Sequence, residues 1–252
     1  MMGEKAYLVT VMRDPAMYRR CIAENPCCEG LSRVPIDNRQ ENLGIPERYN
    51  RFLETLDERD GWVVFCHEDW MPLEPLLPRL ADLDKRCLYG PVGARMEECL
   101  HADFIHITGR IEQCRKDGSR LRTVRGTWPD VSTDTFDCQC IIVHASLVRW
   151  CRLRFDPQLP FDLYAEDFCA AARWKYGVPS RILPLRCRHY SGGTVGERFW
   201  KGLDYLREKY RDCPIRFPTP VDRRNSFGGD QQKPIYNYRR SPAARLRYLI
   251  RK

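Results

Sequence analysis

Gly61-Trp-Val-Val-Phe-Cys-His-Glu-Asp-Trp70 is the stretch whose reading decides the fold. Trp62 to Cys66 is an unbroken apolar run, as expected of a central strand covered on both faces in a parallel sheet. The run stops abruptly at His67-Glu68-Asp69, which sets a carboxylate at the mouth of that sheet. A diphosphate carries charge that a hard divalent cation neutralises, and carboxylate oxygens are natural ligands for such a cation. Asp69 is therefore a candidate metal ligand. A solvated strand-end acid is the competing reading of the same residue.

Outward from this run, strand-like and helix-like segments alternate. Residues 5–12 read as a buried first strand, followed by a helical stretch through Tyr18 and Ile22. Residues 32–37 read as a second strand ending in Asp37-Asn38. A helix is expected from about Pro46 to Glu58, with Tyr49, Phe52, Leu53 and Leu56 on one face. A Pro- and Leu-rich segment, 72–83, predicts another helix, and 87–92 another strand. From Phe104 to Arg125 the pattern is antiparallel, folded about Lys116-Asp117-Gly118-Ser119. A strand over 138–143, a helix over 164–176 stopped by Gly177, a short strand over 178–184 and a helix over 197–210 complete the series. The sum is an open α/β sheet with an antiparallel insertion. Ligands of such sheets bind beyond the carboxyl ends of the strands. That rule singles out Arg13-Asp14, Asp37-Asn38, His67-Glu68-Asp69 and His189.

Composition narrows the class. The 252 residues suit one domain, or one domain with an appendage. No run approaches the length of about 18 apolar residues that spans a bilayer. No signal-peptide pattern opens the chain, so a cytoplasmic location is expected. The 13 cysteines are odd in number and scattered, without zinc-finger spacing, and read as reduced thiols. Residues 211–252 hold 11 Lys/Arg against 3 Asp/Glu, which accounts for the whole net charge of +8. The neutral remainder gives no footprint for specific nucleic-acid binding.

Two more segments carry candidate chemistry. Glu166 and Asp167 open the helix over 164–176, where the helix dipole favours acids and where a carboxylate could also deprotonate an acceptor hydroxyl. His189-Tyr-Ser-Gly-Gly is a histidine followed by a flexible loop, and a lone histidine is commonly structural.

Taken in order, the segments resemble family 2 glycosyltransferases of the GT-A fold, in particular the group with His-Gln-Asp or a similar metal motif in place of Asp-x-Asp. The matching pieces are Asp37-Asn38, Tyr49-Asn50, Phe65-Cys-His-Glu-Asp69, Gly90-Pro-Val-Gly93, Asp134-Thr-Phe-Asp137, Leu153-Arg-Phe-Asp156, Leu163-Tyr-Ala-Glu-Asp167 and His189, spread over residues 5–210. The resemblance implies a GT-A-type, Rossmann-like mixed and mostly parallel sheet flanked by helices, in a domain of residues 1–210 followed by a basic tail, 211–252. It implies transfer of a sugar from a nucleotide-sugar donor to a glycan or lipid-linked acceptor, with inversion, assisted by Mn2+ or Mg2+. Asp37 and Asn38 would then meet the donor and Asp137 would hold a sugar. Asp69, with His189 and His67, would bind the metal. Asp167, of the pair with Glu166, would be the catalytic base. His67 departs from the first acid of Asp-x-Asp, which keeps open a degenerate domain that binds a nucleotide-sugar or glycan without turnover. In the tail, 211–235 is expected to be an extended arm. Residues 241–252 form either a basic amphipathic helix at the inner face of an anionic membrane or a solvated end.

Overall fold

The computed structural model describes residues 5–57, 60–191, 195–221 and 224–238. Strand β1 (Lys5–Met12) leads into α1 (Pro15–Tyr18), then β2 (Ser32–Asp37) and α2 (Ile45–Leu53). Next come β3 (Asp60–His67), β4 (Trp70–Pro72), α3 (Leu77–Leu80), β5 (Leu88–Gly90) and β6 (Val92–Glu98). The middle holds β7 (Asp103–Cys114), β8 (Arg120–Arg125), β9 (Ser132–Thr133), β10 (Thr135–Phe136) and β11 (Cys140–His144). After these follow α4 (Ala145–Cys151), α5 (Tyr164–Tyr176), β12 (Ser180–Ile182), β13 (Cys187–His189) and α6 (Glu197–Lys209). Three short strands, β14 (Phe217–Pro218), β15 (Ser226–Phe227) and β16 (Ile235–Asn237), close the described chain.

Local chemistry explains most of these boundaries. Asp14 caps α1, its side chain accepting from the Met17 N–H at 3.1 Å, and Pro15 sits where the helix needs no donor. Pro35 is tolerated in β2 because β2 is an edge strand. Helix α2 ends at Leu53, short of the expected Glu58, where the Thr55 hydroxyl donates to the Phe52 carbonyl at 2.7 Å. The helix expected over 72–83 is reduced to the single turn α3, because Pro72, Pro75 and Pro78 each remove a donor. Helix α5 has the expected bounds, ended by Gly177 in the left-handed region at φ +67°. The β7–β8 hairpin turns at Gly118, with φ +93°.

Two seven-stranded sheets result. The main sheet runs β2-β1-β3-β11-β5-β12-β9, and the second runs β10-β6-β7-β13-β4 with β8 and β16 also paired to β7. In the main sheet β2 and β3 flank β1 in parallel, whereas β11 is antiparallel to both β3 and β5. With β12 parallel to β5 and β9 antiparallel to β12, five of the seven strands run one way and only β11 and β9 oppose them, the mixed, mostly parallel sheet that was expected. Alternate residues of β3 serve two cores. Val63 and Phe65 pack with α2, α4, α5 and α6, while Val64 and Cys66 face the second sheet and α1.

Residues 211–221 and 224–238 differ from the expected arm. Strands β14 and β15 pair, β16 adds to β7, and Phe217 and Phe227 stack at 5.5 Å with no exposure. These apolar side chains sit among Pro, Gly and Arg, so no periodicity announced them. The rest of the basic tail, 239–252, lies outside the described residues. No helix among the described residues is long and apolar enough to cross a membrane. None of the 13 cysteines forms a disulfide.

Candidate metal centre

The carboxyl ends of β1, β2 and β3 open on one edge of the main sheet, since the three run parallel. At the end of β3 the chain turns into β4, and β13 pairs with β4 so that His189 stands opposite Trp70. The Tyr190 N–H donates to the Asp69 carbonyl at 2.9 Å, which continues the pairing by one step. Residues more than a hundred apart in sequence are thereby brought side by side. His189 Nε2 lies 3.2 Å from Asp69 Oδ1, and His67 Nδ1 lies 3.9 Å from the same oxygen. Among the described residues this is the one group of three or more His, Cys, Asp or Glu whose ligand atoms all lie within 4.8 Å.

The tautomer of His67 follows from its neighbours. The Tyr164 hydroxyl donates its single proton to the Cys138 carbonyl at 2.8 Å. His67 Nε2, 2.7 Å from the same hydroxyl oxygen, must then be the donor. The lone pair of His67 is left on Nδ1, the nitrogen that faces Asp69. Burial lowers the pKa of His67, which keeps that ring neutral. His189 is different: burial alone would lower its pKa, but the Asp69 carboxylate outweighs burial and raises it. Asp69 itself is lowered to about 2, the pull of His189 and His67 exceeding the effect of burial. Both ring nitrogens of His189 are buried without a hydrogen-bond partner among the described residues, Nε2 being close to Asp69 but poorly aligned. A neutral imidazole lone pair, a carboxylate and an orphaned imidazole are the donor set of a divalent transition-metal site, so the residues fit the ion.

Two cavities adjoin the group. One, of about 290 Å³, is lined by Arg13, Asn38, Asn42, His67, Asp69 and Arg198, among others. The other, of about 140 Å³, lies on the far side of His189 and is lined also by Gln113, Arg122 and Asp137. Glu68 is not in reach of the metal group as a ligand; its Oε2 accepts from the backbone N–H of Arg13 at 2.5 Å and Asp14 at 2.8 Å. Asn38 is buried and ties its own loop, bonding Leu43 through both amide groups. Asp37 is solvent-facing and held by Arg39, whose guanidinium keeps the carboxyl down at about 2.

The acidic pair on α5 divides. Adjacent helical positions point about 100° apart. Glu166 turns to the sheet, where its Oε2 accepts from Cys138 Sγ at 3.4 Å, and burial pushes its carboxyl up to about 8. Asp167 turns to α6, accepting from Lys209 Nζ at 2.7 Å and the Tyr210 hydroxyl at 2.8 Å. The helix is entered through Leu163 at φ +63°, a strained conformation for a leucine, directly before Tyr164. Sequence reasoning missed the part of Tyr164, which stood inside a quoted motif as an apolar helix residue. It also missed Arg198, whose guanidinium lies 4.8 Å over the Phe161 ring at the first cavity. Neither had a local signal.

At the level of sequence, no family model and no curated protein matches this chain. In structure it is similar to GalNAc-T7, crystallised with UDP, GalNAc and Mn2+, with a TM-score of 0.52 at 10% identity over 84% of this chain and 49% of that one. The chain thus spans about half the length of that protein. A197 from STIV aligns over 90% of this chain and 95% of its own, at 12% identity and a TM-score of 0.38, too low to carry an argument. At such identities the likeness establishes the fold alone: a mixed α/β architecture of the GT-A type.

Proposed function

We propose that the protein is a divalent-metal-dependent glycosyltransferase that moves a sugar from a nucleotide-sugar donor to a hydroxyl of a glycan or lipid-linked acceptor. The observation that carries the reading is the meeting of His67, Asp69 and His189 at the strand ends of a GT-A-type fold, with both His189 nitrogens lacking a hydrogen-bond partner among the described residues. Similarity in fold to a protein crystallised with UDP, GalNAc and Mn2+ supports it. His67 Nδ1, Asp69 and His189 would hold the ion, and two imidazoles favour Mn2+ over Mg2+, which prefers oxygen ligands. When bound, the ion neutralises charge on the departing diphosphate.

The chain's own residues do the rest. Arg13 and Arg198 bring two cations to the cavity beside Asp69, where the diphosphate is assigned. Asn38 holds the loop that shapes the nucleoside end, and Asp37 meets the nucleoside at the open rim. Asp137, in the cavity behind His189, orients a sugar hydroxyl. Of the acidic pair, Glu166 is assigned as the base that takes the acceptor proton in an inverting displacement, because it turns to the sheet beside Cys138 while Asp167 is committed to Lys209 and Tyr210, and burial raises its carboxyl toward neutral pH. Asp167, spent on Lys209 and Tyr210, is assigned to holding α6.

The test is release of nucleoside diphosphate from UDP-, GDP- and dTDP-sugars, each with Mn2+, Mg2+ or EDTA. Metal-dependent release from one donor is expected, falling by about 100-fold or more in Asp69→Asn. Silence with every donor, together with no calorimetric binding of any nucleotide, would overturn the reading.

A further inference from the structure

We propose that the pocket between the C-terminal half of α6 and the segment 224–235 is a second ligand site, built for a phosphate group and separate from the metal centre. Its volume is about 270 Å³, and Arg207, Arg216, Arg224 and Lys233 all line it. Among the described residues the lining holds no carboxylate; its other polar side chains are Asn225, Ser226, Gln231 and Gln232.

Arg216 is the built part of the site, only 5% exposed. Its Nε donates to Ser226 Oγ at 2.9 Å, and its Nη1 donates to Asp103 Oδ2 at 2.8 Å and to the Lys233 carbonyl at 3.0 Å. Nη2 has no partner among the described residues. Behind the pocket, Asp103 shares its two oxygens between Arg216 and Lys233, whose Nζ lies 2.7 Å from Oδ1. One buried carboxylate thus serves two cations, and the excess positive charge faces the pocket. Arg207 is engaged within its own surroundings, donating to Asp204 Oδ1 and Asn225 Oδ1 at 3.1 Å each and to the Ser226 carbonyl at 3.4 Å, so the unbalanced charge at the pocket is that of Arg216 and Lys233 over the single carboxylate of Asp103.

A group with several acceptor oxygens and up to two negative charges matches guanidinium forks backed by amides, which is the chemistry of a phosphate ester. The site is remote from the metal centre. Asp103 begins β7 and Gln113, the partner of His189, lies near its end, roughly 30 Å further along an extended strand. The donor diphosphate of the proposed function is therefore not its ligand. A soluble phosphate ester and a phospholipid headgroup present the same chemistry.

The experiment titrates the full chain in EDTA with inorganic phosphate and with glycerol 3-phosphate, followed by calorimetry. Saturable binding is expected, unchanged in Asp69→Asn and weakened about tenfold or more in Arg224→Glu and in Arg216→Lys. Arg224 is exposed, so its substitution leaves the core intact, and Arg216→Lys keeps a cation for Asp103. Vesicles of phosphatidic acid in phosphatidylcholine, against phosphatidylcholine alone, separate the two sources. Sedimentation lost in Arg224→Glu assigns the site to a headgroup; sedimentation equal to wild type, with phosphate binding lost, assigns it to a soluble ester. Absence of saturation by millimolar phosphate, or saturation unaltered in Arg224→Glu, overturns the proposal.

Discussion

One hydroxyl decides which nitrogen of His67 is available to a ligand. The Tyr164 hydroxyl donates to the Cys138 carbonyl and accepts the Nε2–H of His67, so the Nδ1 lone pair is fixed toward Asp69. Tyr164→Phe removes that hold without touching a ligand atom. Groups that orient a metal-binding histidine typically contribute 10–100-fold in affinity, so Mn2+ binding measured by calorimetry should weaken by about that factor. Glu166 yields a second prediction at this scale. Its carboxyl is raised from the usual 4.5 to about 8. Between those values the folded chain keeps a proton that the unfolded chain has released, so this residue subtracts stability as pH rises through the window. Glu166→Gln cannot ionise: its Tm should decline less from about pH 5 to pH 8 and exceed wild type at the upper end. If Glu166 is the base, the same variant loses about 100-fold or more in turnover.

At the scale of elements, α5 is where two adjacent acids acquire opposite duties. Asp167 ties α5 to α6 through Lys209 and Tyr210, and Lys209 is shared with Asp156 at 2.5 Å. Asp167→Ala leaves Lys209 with Asp156 alone and the Tyr210 hydroxyl with only the backbone carbonyl of residue 167, and should cost about 1–3 kcal/mol in urea denaturation, with Mn2+ binding kept. Helix α5 itself was legible, because its apolar run, its acidic first turn and Gly177 all point one way. So was β2, down to its terminal Asp37. The division of labour between Glu166 and Asp167 was not legible, since it depends on where α6 lies. The register that brings His189 to Asp69 was equally hidden. Strands β4 and β13 have three residues each, too few to carry a period, and their pairing is decided by the sheet around them.

Across the whole molecule, two mixed sheets share one core face, and the candidate metal group sits where both end. Three features of that arrangement were readable beforehand: the buried β3, the β7–β8 hairpin and the alternation that makes an α/β fold. The packing of 211–221 and 224–238 onto the body was not, because buried Arg216 and Phe217 lie in a segment whose composition reads as solvated. The central claim is that His67, Asp69 and His189 together hold a divalent ion. The most direct test is a titration of Mn2+ by electron paramagnetic resonance, with and without UDP, on wild type, Asp69→Asn and His189→Ala. The account predicts one Mn2+ per chain, bound more tightly with UDP, and about tenfold or weaker binding in each variant. Binding that is absent in wild type, or unchanged in both variants, would contradict it.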